Sequence, residues 1–525
     1  WYDHEFGRHV STPVEPVVPA GSAQQGADEV DIGWNWISVQ LDEGTDVTAY
    51  ALTDRKTGES AGRWAVVVAP DGRARTYTQM RFEQDGLWRS TRTFNDYPTR
   101  WRLEVPEAGL DLVARPAFDD QEFVTLISKP AFWEGRLEVE GTLANRPVQG
   151  PGYAERSGFV TAEDLESFFS QVGLEVRATV EAIIPFDPSF EQVRDLIASE
   201  AREHYMDGVE IDTLVDTMVR PVRAIVDRGG KSWRSYAALA CCDVVGGDSR
   251  EFVKWLAFPE FLHVGSLIVD DVQDNSSVRR GGPASHVLYG ESIALNAGTA
   301  CYFMGQQLLN SERISSEDRL RLYDLYFEAM RAGHAGQALD LAGHDHVMDA
   351  VVESGDSTAL EAAVLATHRL KTAAPAGALA RMGGIAGAGS EVQVEALGSF
   401  FESVGLAFQI IDDVLNLRGF EGDLKTRGED IRQGKVTLPV AKAMGMLESA
   451  PRRTLWSAVA ARSEDAAQLA TVIETLEACG AVDACVEQAQ ELVETAWCRL
   501  DPVLEDSLPK LLLRAFGWYV LERHY

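Results

Sequence analysis

The sequence has few cysteines, few basic residues and no long apolar run. Its 525 residues include six cysteines and no Cys-x-x-Cys pair, so we expect reduced thiols rather than a disulfide framework or a zinc site. The formal net charge of −33 argues against partners that are nucleic acids or anionic membrane surfaces. Without an apolar run of about 18 residues, no membrane span is predicted. No signal peptide is recognisable, and we expect a cytoplasmic protein.

The chain is too long for one hydrophobic core, and its two parts differ in periodicity. Up to about residue 159, short alternating runs are separated by turn signals such as Pro70-Asp71-Gly72, which predicts an all-β domain. Beyond Gly158, apolar residues recur at helical spacing, which predicts an all-α bundle. The predicted helices include 162–182, 189–204, 211–226, 318–332, 392–417 and 482–500. We place the β domain at 1–160, a helical connector at 161–204 and the helical domain at 205–525.

Two acidic clusters follow apolar runs on predicted helices. One such cluster alone is more often a solvated helix face, but two copies favour a function. Side chains at i and i+4 share a helix face, and carboxylates beside apolar runs need a counter-ion. Mg²⁺ prefers oxygen ligands and often shares them with a substrate phosphate, so the clusters predict a bound diphosphate. Their oxygen-bearing residues are Asp270, Asp271 and Asp274 in the first and Asp412, Asp413 and Asn416 in the second.

Basic residues accompany these clusters in an otherwise acidic chain. Each one alone is more often a surface charge, whereas the set indicates phosphate ligands. Lys231 and Arg234 lie about one helical turn apart after a glycine pair, and Arg279 and Arg280 follow the first cluster. The remaining members of the set are Lys371 with Thr372, Lys425 and Lys435.

These motifs carry a resemblance to the trans-isoprenyl diphosphate synthases over roughly residues 205–525. Six segments match the family's motifs in the correct order, and they are 230–234, 263–283, 336–340, 371–372, 408–416 and 434–439. Two positions depart from the pattern. Asn416 stands where many members have a third aspartate, and Val264 replaces a frequent asparagine. Neither change removes a carboxylate that the chemistry requires.

The resemblance implies a prenyltransferase that condenses isopentenyl diphosphate with an allylic diphosphate. It implies Mg²⁺, with three ions expected when substrate is bound, held by Asp270, Asp271, Asp274, Asp412, Asp413 and Asn416. Isopentenyl diphosphate is expected on Lys231, Arg234, His263 and Arg280, and the allylic diphosphate on Arg279, Lys371 and Lys435. Thr372, Gln409 and Lys425 complete the expected substrate-binding set. The resemblance also implies a homodimer or higher homo-oligomer formed through the helical domain.

Product length is expected to depend on the residues one helical turn below the first cluster. Gly265 and Ser266 precede Asp270 by about one turn and are small, so a growing chain could pass them. Farnesyl synthases of this family usually place aromatic rings at that depth. The sequence therefore favours geranylgeranyl diphosphate as the product.

The β-rich part resembles carotenoid 1,2-hydratase-like, lipocalin-like proteins, which implies a barrel or sandwich. The matching segments are 1–7, 33–41, 97–103, 132–135 and 152–155. The family's W-x-D-H segment lies mid-chain, so we expect this domain to be incomplete at its N-terminus. An acid among tryptophans could protonate an alkene, and Asp3, His4 and Glu134 are the candidates. The alternatives are that Asp3 and His4 form a polar pair at a strand end while the tryptophans fill the core, and that the domain only binds a hydrophobic ligand or is a structural partner.

Two other functions fit parts of the pattern. A class I terpene cyclase would ionise the diphosphate without isopentenyl diphosphate, but it would not need the pocket predicted around Lys231, Arg234 and His263. A non-catalytic prenyl-binding or regulatory subunit would not need intact aspartate clusters. Both clusters are present here, which favours the synthase.

Overall fold

The computed structural model describes residues 32–55, 57–124, 131–157, 165–230, 232–419, 427–463 and 465–522. Four predicted site residues, Asp3, His4, Lys231 and Lys425, lie outside these ranges. The chain divides into two compact units. The first contains Trp1–Phe82, Arg102–Ala114 and Leu137–Phe159, and the second contains Glu83–Trp101, Arg115–Arg136 and Val160–Tyr525. The boundaries at residues 160 and 204 stay a prediction.

The β-rich part forms a curled antiparallel sheet, a half-barrel, in the order β4-β3-β2-β1-β12-β11-β9-β8-β5, with β10 beside β11. Cross-strand register places Trp36 opposite Tyr50, and Tyr50 opposite Trp64. Alternate residues such as Ile37 and Val39 are buried, as expected for a sheet with one face in a core. The strands are β1 Ile32–Gln40, β2 Asp46–Asp54, β3 Ser60–Val68, β4 Ala74–Tyr77, β5 Arg81–Asp85, β6 Trp88–Arg89, β7 Asp96–Tyr97, β8 Arg100–Val105, β9 Leu110–Pro116, β10 Glu122–Val124, β11 Ala131–Leu143 and β12 Arg146–Ser157.

The remainder of the described chain is helical apart from a two-stranded hairpin of β13 Val278–Arg279 and β14 Gly282–Pro283. The predicted fold class is therefore confirmed. The helices are α1 Leu165–Ile183, α2 Phe190–Ile197, α3 Ile211–Leu214, α4 Arg220–Val226, α5 Trp233–Val244, α6 Ala257–Gln273, α7 Ser285–Tyr289, α8 Glu291–Met304, α9 Ser316–Ala342, α10 Asp345–Ser354, α11 Thr358–His368, α12 Ala374–Ala386, α13 Glu391–Arg418, α14 Glu429–Gln433, α15 Leu438–Met446, α16 Ser449–Ala460, α17 Ala466–Ala478, α18 Ala481–Leu500 and α19 Leu508–Glu522.

The centre of the helical unit is α13, which packs against α12 and α18, while α6 packs against α8. A capping box between Ser390 and Gln393 satisfies the first backbone N–H groups of α13, and Gly419 follows its last residue at φ +107°. Two stretches, Ser249–Gln273 and α13, are long and apolar enough to cross a bilayer, but 61% of each apolar window is buried inside the protein. Burial of that kind is typical of core helices, so it gives little support for a membrane span.

Residues from the β-rich part of the sequence belong to the core of the helical unit. Phe94 is fully buried, and its ring meets those of Phe168 and Tyr236 edge-on at 5.2 and 6.1 Å. Arg89 pairs with Glu175 of α1 at 3.4 Å. Phe94 is therefore part of the hydrophobic core that the helices form.

Candidate active site

The first aspartate cluster lies at the C-terminal end of α6. The helix presents a buried apolar face through Phe261, Val264 and Ile268, which fixes its position in the bundle. Asp270 and Asp271 stand on the last turn, and Asp274 follows the final helical residue, with its backbone N–H bonded to the Asp270 carbonyl. Burial of this apolar face therefore fixes where the carboxylates lie in the helical bundle.

Asp271 is fully buried and pairs with Arg279 of the hairpin. The Arg279 Nε donates to Asp271 Oδ1 at 2.9 Å. Burial raises the pKa of Asp271, and the Arg279 guanidinium acts against that rise. Asp271 Oδ2 has no hydrogen-bond partner among the described residues. A buried carboxylate oxygen left in this state is an available acceptor for a further ligand.

Lys371 connects Asp270 to a third carboxylate that the sequence analysis did not assign, Asp340 of α9. Its Nζ lies 2.7 Å from Asp340 Oδ2 and 3.5 Å from Asp270 Oδ1. Gln337 Nε2 donates to Asp270 Oδ1 at 2.8 Å. Lys371 sits in a π-helical turn, Arg369–Ala373, and such turns occur frequently at functional sites.

The segment after α14 joins the two aspartate clusters. Lys435 Nζ lies 3.4 Å from Asp274 Oδ2 of the first cluster, and the Leu438 backbone N–H donates to Asp413 Oδ2 of the second at 3.0 Å. The Asp340 carboxylate acts electrostatically both on Lys435, which contacts Asp274, and on His368, which contacts Asp413, so both clusters lie near one common carboxylate. Burial lowers the pKa of Lys435, but the carboxylates of Asp340 and Asp274 raise it more, so the amine stays charged.

The second cluster is less exposed than the first. Asp412 is partly buried, whereas Asp413 is buried and lies 3.1 Å from His368 Nε2. Burial lowers the pKa of His368, but the carboxylates of Asp413, Asp340 and Asp412 together outweigh that effect, so its pKa is raised. Asn416 is buried, and its Oδ1 accepts the Asp430 backbone N–H at 3.3 Å. The metal-ligand role of Asn416 stays a prediction.

A second cationic region surrounds His263. Burial, followed by the charges of Arg234, Arg280 and Arg279, holds the pKa of His263 well below its ordinary value. The histidine is therefore neutral, and it lies among three guanidinium groups. The Arg234 guanidinium lies over the Trp233 ring at 4.5 Å. Arg234, His263 and Arg280 were predicted to bind isopentenyl diphosphate, and that role stays a prediction; the fourth predicted residue, Lys231, is outside the described ranges.

Four other predicted residues have defined surroundings. Gln409 Oε1 accepts the Thr372 hydroxyl at 3.1 Å, which links α13 to the π-helical turn. A Cβ on Gly265 would lie 2.6 Å from the Gly298 carbonyl oxygen, so its small size is required by the packing of α8 on α6. Ser266 is exposed. A chain-length role at this depth therefore rests on Ser266, and it stays a prediction.

The site fits Mg²⁺ that is completed by substrate oxygens. In the described residues no three Asp, Glu, His or Cys side chains form a ready metal cage. Instead, the amines of Lys371 and Lys435 lie against the carboxylates of Asp270, Asp274 and Asp340. Mg²⁺ is usually bound through one or two carboxylates plus substrate phosphates rather than by an all-protein cage. The two aspartate clusters, and the Asp271 Oδ2 that has no hydrogen-bond partner among the described residues, suit that mode of binding.

In the β-rich sequence, the predicted acid Glu134 is partly buried on β11. A different carboxylate there is held by three hydroxyl groups. Glu122 accepts hydrogen bonds from Tyr97 at 2.8 Å and from the hydroxyls of Ser90 and Thr93. Burial raises its pKa above the ordinary value for glutamate, and the three hydroxyls oppose the rise. This network fixes the turn that carries Phe94.

Sequence reasoning missed Asp340, Gln337 and His368 as site residues. Gln337 and Asp340 are three positions apart on α9 and share a helix face, a signal that was available because the motif 336–340 was recognised. His368 precedes Lys371 by one turn, but its partner Asp413 is distant in sequence. That pairing requires the fold.

Comparisons with known proteins agree with this geometry. The family model for polyprenyl synthetase matches residues 215–476, and the one described as AttH-like matches residues 1–159. A short chain isoprenyl diphosphate synthase of Methanothermobacter thermautotrophicus is 33% identical over 315 residues, which cover 60% of this chain and 93% of the relative. A geranylgeranyl diphosphate synthase of Methanosarcina mazei is 29% identical over 60% of this chain and 92% of its own.

Solved structures give the same result. The geranylgeranyl pyrophosphate synthetase of Pyrococcus horikoshii superposes with a TM-score of 0.55 at 26% identity, covering 68% of this chain and 99% of its own. A geranylgeranyl pyrophosphate synthase of Corynebacterium glutamicum, complexed with isoprenyl diphosphate and magnesium, has the same fold, with a TM-score of 0.54 at 24% identity over 69% of this chain and 99% of its own. The chain belongs to the polyprenyl synthetase family and carries an AttH-like region on the N-terminal side of its helical part in the sequence.

Proposed function

We propose that this protein condenses isopentenyl diphosphate with an allylic diphosphate in a Mg²⁺-dependent reaction that gives geranylgeranyl diphosphate. The observation that carries the proposal is the span from Lys435 to Leu438, which ties Asp274 of one cluster to Asp413 of the other. Opposed carboxylates with lysines between them form a site for a diphosphate and its counter-ions. Geranylgeranyl synthases among the relatives support the choice of product.

The roles follow from charge and position. Asp270, Asp271 and Asp274 of the first cluster and Asp412 and Asp413 of the second would hold Mg²⁺, which when bound supplies positive charge beside a diphosphate leaving group. Lys371 and Lys435, now paired with these carboxylates, would donate to the diphosphate oxygens once the carboxylates have metal partners. Aligned cations stabilise the negative charge that develops on the departing diphosphate. No protein nucleophile is required.

The second substrate would occupy the cationic region around His263. Arg234 and Arg280 are charged and fixed, and the neutral imidazole of His263 adds a hydrogen-bonding group without further repulsion. Arg279 of this region pairs with Asp271, so the region adjoins the first aspartate cluster and would hold a second diphosphate beside the first. That arrangement favours elongation over cyclisation of a single substrate.

The test of this function is product analysis after incubation with Mg²⁺, isopentenyl diphosphate and each allylic diphosphate in turn. We expect geranylgeraniol after phosphatase treatment, identified by mass spectrometry, and no product when Mg²⁺ is chelated. Products that never contain an added isoprene unit would contradict the proposal.

Ser266→Phe is expected to shorten the product from geranylgeranyl to farnesyl diphosphate. Ser266 is exposed one turn below Asp270, and an aromatic ring there would block the growing chain. Its hydroxyl donates only to the His263 carbonyl at 2.7 Å, so the change should not unfold α6. Ser170→Phe is the control, because this exposed serine makes the same kind of bond, to Glu166. An unchanged product in Ser266→Phe would contradict the chain-length role.

We further propose that the AttH-like region binds, hydrates or cyclises the isoprenoid, and that the helical unit forms a homodimer. The resemblance to hydratase-like proteins supports the first proposal. Exposed apolar side chains on α8 and α9, such as Phe303 at 70% and Phe327 at 49%, support the second.

A further inference from the structure

The hairpin β13–β14 carries two adjacent arginines whose guanidinium groups reach two different carboxylates of α6. Arg279 pairs with Asp271, and Arg280 Nη1 donates to Glu260 Oε1 at 3.0 Å. Glu260 and Asp271 are about three turns apart, so they lie on one face of α6. Asp271 belongs to the metal-binding cluster. Glu260 belongs to no recognised motif.

Glu260 is enclosed far more than a glutamate usually is. Glu260 is only 4% exposed. A charged side chain that is this deeply buried requires a partner of opposite charge. Arg280 is the partner that the structure gives it, with 14% of the arginine side chain exposed. Breaking such a pair leaves an uncompensated charge in the protein interior.

The Arg280 guanidinium is held by two hydrogen bonds and lies close to the backbone of Gly230. Glu260 accepts from Nη1, the Ile225 carbonyl accepts from the same nitrogen at 3.3 Å, and a Cβ on Gly230 would lie 2.9 Å from Nη2. Gly230 belongs to the glycine pair that precedes Lys231. Its lack of a side chain leaves the space that the guanidinium occupies.

The backbone at the tip of the hairpin adopts an unfavourable left-handed conformation at Arg280. Arg280 has φ +50° and Gly281 has φ +73°, the left-handed pair typical of a tight two-residue hairpin turn. Arginine in that region is uncommon, and such a conformation persists only where its surroundings hold it. Arg228 holds this one, because its Nη1 donates to the Arg279 and Pro283 carbonyls, each at 2.8 Å.

We propose that Glu260 is a positioning residue that orients the Arg280 guanidinium for the diphosphate of isopentenyl diphosphate. The inference rests on the proposed function, which places that substrate beside Arg280 and His263. Glu260 itself would not touch the substrate. Its carboxylate offsets the cost of burying the Arg280 charge and fixes the direction in which the remaining N–H groups point.

Glu260→Gln tests this role, because glutamine keeps the size of the side chain and removes its charge. We expect the KM for isopentenyl diphosphate to rise about tenfold, as for a lost charge-assisted hydrogen bond, while the KM for the allylic diphosphate and kcat change little. In an Arg280→Gln background, Glu260→Gln should add no further increase. Glu494→Gln is the matched control, since Glu494 of α18 pairs with Arg514 of α19 at 2.8 Å.

A binding readout separates this inference from the proposed function. Isopentenyl diphosphate alone should raise the unfolding temperature of the full chain and of Glu494→Gln, and raise that of Glu260→Gln much less. If the full chain binds isopentenyl diphosphate in this way but makes no elongated product, the proposed function fails and the positioning role stands. Equal rises in Glu260→Gln and the full chain, or effects of Glu260 and Arg280 that simply multiply, would overturn the positioning role.

Discussion

Asp270→Asn is expected to lower the rate of prenyl transfer by about 10²–10³-fold, the usual cost of removing one electrostatic group from a transition-state site. The amide oxygen of the introduced asparagine can still accept from Gln337, so the geometry at the end of α6 should persist. What is lost is the negative charge that now faces Lys371 at 3.5 Å and that we propose binds Mg²⁺. The measurement is the steady-state rate with saturating substrates over a range of Mg²⁺ concentrations.

The matched control for this change is Asp349→Asn on the exposed surface of α10. It removes the same charge away from the site, and surface changes of that kind usually have small effects. Its rate should equal that of the unmodified protein. If Asp270→Asn keeps its unfolding temperature and also keeps most of the rate, Asp270 does not take part in diphosphate ionisation.

Phe94→Ala is expected to destabilise the helical unit by about 3–5 kcal/mol, the usual cost of deleting a buried aromatic ring. Phe94 is fully buried against Phe168 and Tyr236, and it adopts φ +55°, a backbone conformation that is rare for a bulky residue. Burial of the ring is what holds the chain in that conformation. Denaturant unfolding of the full chain, followed by the helical circular dichroism signal, measures the change.

The control is Phe118→Ala, which removes the same ring from a position that is 60% exposed. Phe118 also comes from the β-rich part of the sequence and belongs to the helical unit. We expect little change in its unfolding midpoint. Equal stability of the two variants would show that Phe94 does not support the helical core.

The Phe94 result bears on how the two parts of this protein can be studied. The AttH-like match covers residues 1–159, yet Glu83–Trp101 and Arg115–Arg136 group with the helices. Deleting the whole AttH-like region would therefore remove Phe94 from the core of the helical unit. A loss of activity in that deletion would report a damaged helical unit as well as a missing domain.

The sequence was sufficient to predict the bounds of the helix that carries the second aspartate cluster, and those of one of the helices packed against it. The predicted helices 392–417 and 482–500 agree with α13 and α18, because their apolar spacing is long and regular and α13 has a capping box at its start. Once a helix is assigned, the spacing of the acidic residues shows which of them share one helix face. Ionic partners that are distant in sequence, such as His368 with Asp413, leave no local signal and could not be predicted.

Gly265 and Phe94 show why the pattern of a single element does not predict how that element packs. Gly265 suggests an open tunnel when only α6 is considered, but its Cβ position is filled by α8, which a single helix pattern does not reveal. Phe94 lies in a segment of short strands and turns, where period-two patterns say nothing about packing on helices. In both cases the deciding neighbour comes from another element.

Release of inorganic pyrophosphate from an allylic diphosphate, measured with and without isopentenyl diphosphate, tests the central claim most directly. If this chain is a prenyl synthase with two diphosphate pockets, release should require isopentenyl diphosphate and should match the number of isoprene units added. Rapid release without isopentenyl diphosphate, accompanied by cyclic hydrocarbon or alcohol products, would contradict the synthase function and identify a cyclase on the same fold.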